Sequence, residues 1–296
     1  MTASPRGAHE VASHDALDVA LATTWAVADP DLPVLVEALA RVGLRAGGVA
    51  WDDPGFDWTA PQLSVVRSTW DYAARPEAFL EWARGVPRLA NPHDVLAWSC
   101  DKRYLAELAN AGIPVVETSY ASSGSEAVLP EGDVVVKPVI GAGSRGARRF
   151  APDEHDAARS HVDELAATVG LALVQPYEPA AELGEVDVVV LDGVVSHAIR
   201  KHAPMGIAPD ALPQGPLRVE VTVPTAEVLA LVDDVLGAVP GEPPLCYARV
   251  DVVETARGPL VMEVELVEPF LFLGSAAHAP DRCAAAIAAH LARASL

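Results

Sequence analysis

The chain has 296 residues, 51% hydrophobic and 21% charged, with 41 acidic residues against 21 basic and a formal net charge of −20. This length and balance suit a globular protein large enough for two or three domains and exclude wholesale disorder. The acidic field also excludes nucleic acid and anionic membranes as partners, so an anionic ligand would need a local basic pocket set against the global sign.

In chain order, residues 1–14 read as a flexible tail with no hydrophobic signal region. Residues 17–23 form a short apolar strand. Asp29-Pro30-Asp31 then caps a helix in which Val34, Leu35, Ala38 and Leu39 recur at helical spacing until Gly43 stops it. Strands at residues 45–51 and 63–67 and a helix at 76–84 complete an N-terminal α/β domain, residues 15–92. A second unit, residues 93–173, starts with a helix at 101–111 closed by Gly112 and Pro114. It continues with a strand at 133–138, a glycine-bearing loop at 141–146, a strand at 148–151 and an amphipathic helix at 153–169. The third unit, residues 174–296, carries strands at 186–191 and 194–200 joined by Asp192-Gly193, a tight-hairpin pair. Residues 204–216, rich in Pro and Gly, are expected to form a mobile loop over a site. A helix at 225–239, an acidic hairpin and an Ala-rich helix at 281–293 close the chain. Such alternation of helix and strand periods is the signature of an α/β architecture.

Cys100, Cys246 and Cys283 are odd in number and lack metal spacing, so zinc is not implied, and buried reduced thiols are expected at Cys100 and Cys246, which sit in apolar or aromatic surroundings. No apolar run is long enough to span a bilayer, and the chain reads as cytoplasmic.

The acidic hairpin carries the strongest chemical signal. Tyr247-Ala-Arg-Val-Asp251 and Met262-Glu-Val-Glu265 read as its strands, around turn-rich residues 254–259. Side chains alternate, so Arg249 and Asp251 share one face, Glu263 and Glu265 the matching face of the second strand, and Val250, Val252 and Val264 point into a core. Three carboxylates so placed repel unless water or a cation intervenes, and their hard oxygens suit Mg²⁺. The alternative is a half-exposed hairpin with its polar face in water.

In Lys137-Pro-Val-Ile-Gly141-Ala-Gly143-Ser144-Arg-Gly146 a lysine ends an apolar strand and a small flexible loop follows at once. Glycines allow close backbone approach, amides and Ser144 donate, and lysine supplies a point charge, which suits phosphate; an ordinary turn between strands is the alternative. Lys102, at a helix start, opposes the helix dipole and is either an exposed surface lysine or an anion ligand. Gln175-Pro-Tyr177-Glu178 begins an extended segment able to offer backbone groups to an adenine edge, with Glu182 or Glu185 placed to accept from a ribose; an interdomain hinge is the bland reading. Arg67-Ser68-Thr69-Trp70-Asp71-Tyr72 ends a strand, where open α/β sheets bind ligands, and is either a small-molecule pocket or a capped turn with Arg67 paired to Asp71. Arg200 and Lys201 are basic groups in an acidic chain that could hold phosphate or a carboxylate. His197 fits no nucleophile–base or metal spacing.

The order of lysine at a helix start, strand-lysine-glycine loop, Gln-Pro-Tyr hinge, Arg-x-Asp strand and Glu-x-Glu strand resembles the ATP-grasp ligases over residues 91–268. The resemblance implies an ATP-grasp fold, an N-terminal α/β domain followed by two α+β subdomains clasping ATP. It implies that Lys102 and Lys137 contact phosphates and that Gly141, Gly143, Ser144 and Gly146 belong to the loop closing over them. Gln175, Tyr177 and Glu178 would sit at the adenine, and Glu182 or Glu185 at the ribose. Asp251, Glu263 and Glu265 would bind Mg²⁺ (or Mn²⁺), with Arg249, Arg200 and Lys201 as catalytic cations and residues Arg67 to Tyr72 at an amino-acid-like substrate. Glu263-Val-Glu265 departs from the commoner Glu-x-Asn and makes the metal site more anionic. The flanking segments are similar to a glutathione-synthetase-like branch that includes the ligase closing D-cycloserine from O-ureido-D-serine. That resemblance implies ATP-dependent intramolecular C–N bond formation. Intermolecular amino-acid or peptide ligation and a non-catalytic ATP-binding regulator stay as alternatives, and a homodimer is left open.

Overall fold

The computed structural model describes residues 17–124, 127–202 and 218–294; the expected tail at 1–14 and the loop at 204–216 lie outside them. Strands β1 (Val19–Thr23), β2 (Ala46–Ala50) and β3 (Leu63–Ser68) form a parallel sheet ordered β2-β1-β3. Strands β1 and β3 are buried along their whole length, as parallel strands covered on both faces must be. Helix α1 (Asp31–Arg41) starts where the Asp29 carboxylate accepts from the Asp31 amide at 2.9 Å, and α2 (Pro76–Gly85) has proline in its first turn.

Between residues 93 and 110 the structure departs from the single helix expected at 101–111. There are two helices, α3 (His93–Cys100) and α4 (Tyr104–Asn110), broken at Asp101. The Asp101 carboxylate accepts from the Arg103 amide at 2.9 Å, a side-chain bond that competes with helix continuation. Lys102 therefore sits in the break, where its amide donates to the Val139 carbonyl at 2.9 Å.

The second sheet is antiparallel and ordered β4-β7-β5-β6, from β4 (Ser119–Ala121), β5 (Val134–Pro138), β6 (Arg148–Phe150) and β7 (Ala172–Pro176). Helix α5 (His155–Val169) packs Ala158, Val162 and Leu165 on Val134, Val136 and Val174 of this sheet. The third sheet, β10-β9-β8-β11-β12, uses β8 (Glu185–Leu191), β9 (Val194–His202), β10 (Arg218–Thr222), β11 (Tyr247–Thr255) and β12 (Gly258–Glu265). Asp192 and Gly193 turn β8 into β9 with φ of 51° and 75°, the left-handed pair a two-residue hairpin requires. The later hairpin is tighter than expected: Thr255 pairs with Gly258, leaving Ala256 and Arg257 as its tip.

Helix α6 (Ala226–Ala238) covers one face of this sheet with Val228, Leu231, Val232 and Val235 against Val188, Val250, Val252 and Val264. The closing helix α7 (Ala279–Ala294) packs Cys283, Ala284 and Ile287 in one core with Leu21, Leu35, Leu39, Val189 and Tyr247. The opposite face of the third sheet thus changes character along β8, from Glu185 and Asp187 to Val189 and Leu191 as it passes into that core. All three cysteines are buried and free. Among the described residues no helix is long and apolar enough to cross a membrane.

Candidate active site

Strand register assembles the polar face. Arg249 and Asp251 on β11 stand opposite Glu265 and Glu263 on β12; Asp251 also stands opposite Asp187 on β8, and Glu185 opposite Lys201 on β9. Opposed side chains in an antiparallel pair lie about 5 Å apart at Cβ, within reach of ion pairing. The Arg249 guanidinium grips Asp251 through Nε–Oδ1 at 2.7 Å and Nη2–Oδ2 at 2.8 Å, reaches Glu265 at 2.5 Å, and donates to the Phe270 carbonyl at 3.0 Å. The Lys201 ammonium lies 2.8 Å from Asp187, 3.3 Å from Asp251 and 3.5 Å from Glu185. From the other wall, Lys137 Nζ is 3.0 Å from Glu263 Oε1; Lys102 Nζ is 3.8 Å from the same atom and donates to the Gly141 carbonyl at 2.9 Å.

Four cations (Lys102, Lys137, Lys201, Arg249) thus face five carboxylates (Glu185, Asp187, Asp251, Glu263, Glu265) in one cluster. Burial pushes the Glu263 carboxyl up, but Lys102 and Lys137 outweigh it and hold the group at about 2. Burial and the charge of Asp251 push Asp187 up to about 8. Burial also raises Glu265 against the pull of Arg249. The separation follows from where the cations stand.

The acceptor oxygens of Asp251, Glu263 and Glu265 all lie within 4.8 Å of one another, as do those of Glu185, Asp187 and Asp251. In the second set the Lys201 ammonium already stands beside all three carboxylates, so a cation's place is filled by the protein. The first set is also ion-paired, Asp251 and Glu265 with Arg249 and Glu263 with Lys102 and Lys137. All three of its carboxylates line the cleft, however, whereas Asp187 of the second set does not, and such a donor set fits a hard divalent ion such as Mg²⁺.

The cleft between the second and third sheets has a volume of about 770 Å³, within the range of small-molecule sites. Lys137, Gly141, Gly143, Ser144, Gln175, Tyr177, Glu178 and Glu182 line one wall, with Lys102 at the end of the same wall. Ser144 and Gly143 adopt φ of 57° and 64°, and a Cβ on Gly141 would lie 2.9 Å from the Pro138 ring, so the loop needs its small residues. Gln175 donates to the Thr118 hydroxyl at 2.8 Å. At the rim Arg149 stacks 3.5 Å over the Tyr177 ring and pairs with Glu182, which also accepts from the Tyr177 hydroxyl. Glu178 accepts from the Ala180 amide at 3.3 Å.

Several expected site residues lie elsewhere. Arg200 projects from the face of β9 opposite to Lys201, pairs with Glu254 at 2.7 Å and donates to the Gly184 carbonyl, because adjacent strand residues point to opposite faces. Arg67 is 1% exposed, and Ser68 and Thr69 are fully buried; none lines the cleft. Arg67 points instead to the Pro269 carbonyl and Asp29, and Asp71 pairs with Arg75 rather than Arg67. Only Trp70 and Tyr72 of that segment reach the cleft. Gly146 stands behind the loop, its carbonyl accepting from His161 at 2.8 Å. Two groups were missed, Asp187 and Glu268. Glu185-Val-Asp187 repeats the alternation of Glu263-Val-Glu265, and Glu268 interrupts an otherwise apolar run, signals that could have found both.

Comparison with known proteins agrees with this geometry. Residues 19–91 match a family model described as the N-terminal domain of D-cycloserine synthetase DcsG. The cycloserine biosynthesis protein DcsG of Streptomyces lavendulae is 35% identical over 291 residues, covering 89% of this chain and 94% of that one. The crystal structure of D-cycloserine synthetase DcsG superposes with a TM-score of 0.82 at 32% identity, covering 92% of this chain and 99% of that one. The ATP-grasp ligase PsnB, solved with its minimal precursor, Mg and ADP, shares the fold at 20% identity and a TM-score of 0.61, over 92% of this chain and 97% of that one. The two facing sheets and the charged cleft between them are those of an ATP-grasp ligase. Within that class the chain belongs to the D-cycloserine synthetase (DcsG) family.

Proposed function

We propose that the protein closes the ring of D-cycloserine from O-ureido-D-serine at the expense of ATP. The observation that carries this reading is the Arg249–Asp251–Glu263–Glu265 cluster, faced by Lys102 and Lys137, in a chain 35% identical to a cycloserine biosynthesis protein. Lys102 and Lys137 hold the ATP phosphates, with the Gly141, Gly143 and Ser144 amides over them. Gln175, Tyr177 and Glu178 border the adenine, and Glu182 or Glu185 accepts from the ribose. Asp251, Glu263 and Glu265 would hold Mg²⁺, which would neutralise phosphate charge. In the ligand-free cleft the carboxylates and cations neutralise one another. The phosphates would draw on the cations and Mg²⁺ on the carboxylates, both already gathered in the empty cleft.

A substrate carboxylate oxygen attacks the γ-phosphorus and the bond to ADP breaks, giving an acylphosphate. Arg249 faces the charge that spreads over the transferring group. The nitrogen bonded to oxygen then attacks the acyl carbon and phosphate leaves. Water takes up the ureido carbon, which departs as carbon dioxide and ammonia. Holding carboxylate and nitrogen in one bound molecule supplies proximity, so no side-chain nucleophile is needed. The proposal extends to Mn²⁺ in place of Mg²⁺, to a cytoplasmic setting, and to the absence of nucleic-acid and membrane partners. It leaves a homodimer to be tested by light scattering.

The test is ADP release with Mg²⁺-ATP, products read by mass spectrometry, across O-ureido-D-serine, its L-enantiomer, and single and paired amino acids. A cyclised, ureido-free product from the D-compound is expected. Turnover only with paired amino acids would move the function to intermolecular ligation. Lys137→Met is expected to weaken ATP binding by about 10- to 100-fold, the loss of one charge-assisted contact. Unchanged nucleotide affinity in a calorimetric titration would remove Lys137 from the phosphate site.

A further inference from the structure

Among the described residues, Glu268 is a cleft carboxylate to which the phosphoryl-transfer site gives no task. It is 7% exposed and lines the cleft beside Trp70, Tyr72 and Phe270. Its backbone is fixed by donors at three consecutive carbonyls: Trp70 Nε1 to Glu268 at 3.3 Å, Arg67 to Pro269 at 3.3 Å and Arg249 to Phe270 at 3.0 Å. The carboxylate is therefore set on a rigid segment spanning the N-terminal unit and the acidic cluster. Every neighbouring acid has a partner: Glu263 has Lys102 and Lys137, Glu265 has Arg249, and Glu185, Asp187 and Asp251 share Lys201. No cation stands within ion-pair distance of Glu268 among the described residues. Burial, with Glu265 adding to it, pushes its carboxyl up to about 8, and the more distant Lys102 and Arg249 offset this only in part.

We propose that Glu268 receives the α-ammonium group of the amino-acid substrate. The inference rests on the reading above that the substrate is an amino-acid derivative. In such a molecule the ammonium nitrogen is two bonds from the carboxyl carbon, so its partner must stand beside the phosphoryl-transfer site. Glu268 lies three residues beyond Glu265, next to aromatic groups that exclude water. The pairing also has a chemical purpose. An α-amine held as ammonium carries no free electron pair and leaves the acylphosphate to the ring-closing nitrogen.

The experiment compares O-ureido-D-serine with 3-(ureidooxy)propanoic acid, which lacks only the amine. Each is titrated calorimetrically into wild type and Glu268→Gln with Mg²⁺ and a non-hydrolysable ATP analogue. Wild type should prefer the amino compound by about 30-fold, and Glu268→Gln should lose that preference while binding the des-amino compound unchanged. Equal weakening of both ligands, or of neither, overturns the assignment. Ligand-free Glu268→Gln should unfold at or above the wild-type temperature, since it removes a buried carboxyl whose ionisation folding penalises; a lower temperature with the preference intact marks a structural role and also overturns it. If wild type binds O-ureido-D-serine without cyclising it, the ring-closure reading falls and the comparison still stands. If it does not bind that compound, the comparison uses serine and alanine of both hands against their des-amino acids, and failure of wild type to prefer any amino acid refutes the proposal.

Discussion

Arg249→Met is expected to lower kcat by about 1,000-fold, on the order of 4 kcal/mol of transition-state stabilisation, while ATP affinity changes by less than about tenfold. The side chain makes three short contacts to two carboxylates and a fourth to the Phe270 carbonyl, so its position is over-determined before any ligand arrives. Such a preorganised charge acts where charge develops and adds little to ground-state nucleotide binding, for which Lys102 and Lys137 remain. Arg249→Lys should restore only a small part of the loss, because one ammonium cannot reproduce a fork bridging Asp251 and Glu265. Single-turnover ADP formation against nucleotide titration separates the two effects. A variant retaining a tenth of wild-type kcat, or one that loses ATP binding in proportion, would sink the assignment.

The hairpin bearing Arg249 was legible because its information is local. Period-two alternation fixes which of Arg249, Val250 and Asp251 share a face, and pairing with Glu265, Val264 and Glu263 keeps that parity across the strands. Asp192-Gly193 and the Gly141 loop were legible for a similar reason, since left-handed backbone favours a short list of residues. Elsewhere the deciding contact is distant in sequence or lies in a single side chain. The break between α3 and α4 has neither glycine nor proline and depends on one Asp101 side-chain bond. Strand β4 is three residues long and exists through pairing with β7, so no periodicity announces it. In Arg200-Lys201 two adjacent cations compete for one face. Only the opposition of Lys201 to Glu185, reached after a register shift at Val189, shows which of them faces the cleft.

The Arg67 segment shows how a polar sequence at a strand end can serve the fold, and it makes a second large prediction. Arg67→Met should destabilise the protein by about 3–5 kcal/mol and lower the first thermal transition by roughly 5–15 °C. Arg67 is buried beside Asp29, with 3.9 Å between Nη2 and Oδ2, and the second oxygens of Asp29 and Asp31 have no hydrogen-bond partner. Burial raises the Asp31 carboxyl, and Arg67 is the cation that opposes this. Removing the guanidinium would leave two acids without compensating charge in an apolar core, and would free the Pro269 carbonyl that anchors the segment carrying Glu268. The cost should then come from the stranded charge rather than from lost packing, and Asp29→Asn added to Arg67→Met should recover more than half of it. Below the transition, the affinity of the single variant for an amino-acid substrate should fall by less than tenfold. Wild-type stability with substrate binding abolished would instead return Arg67 to the pocket, because a charge that touches only ligand contributes nothing to the empty fold.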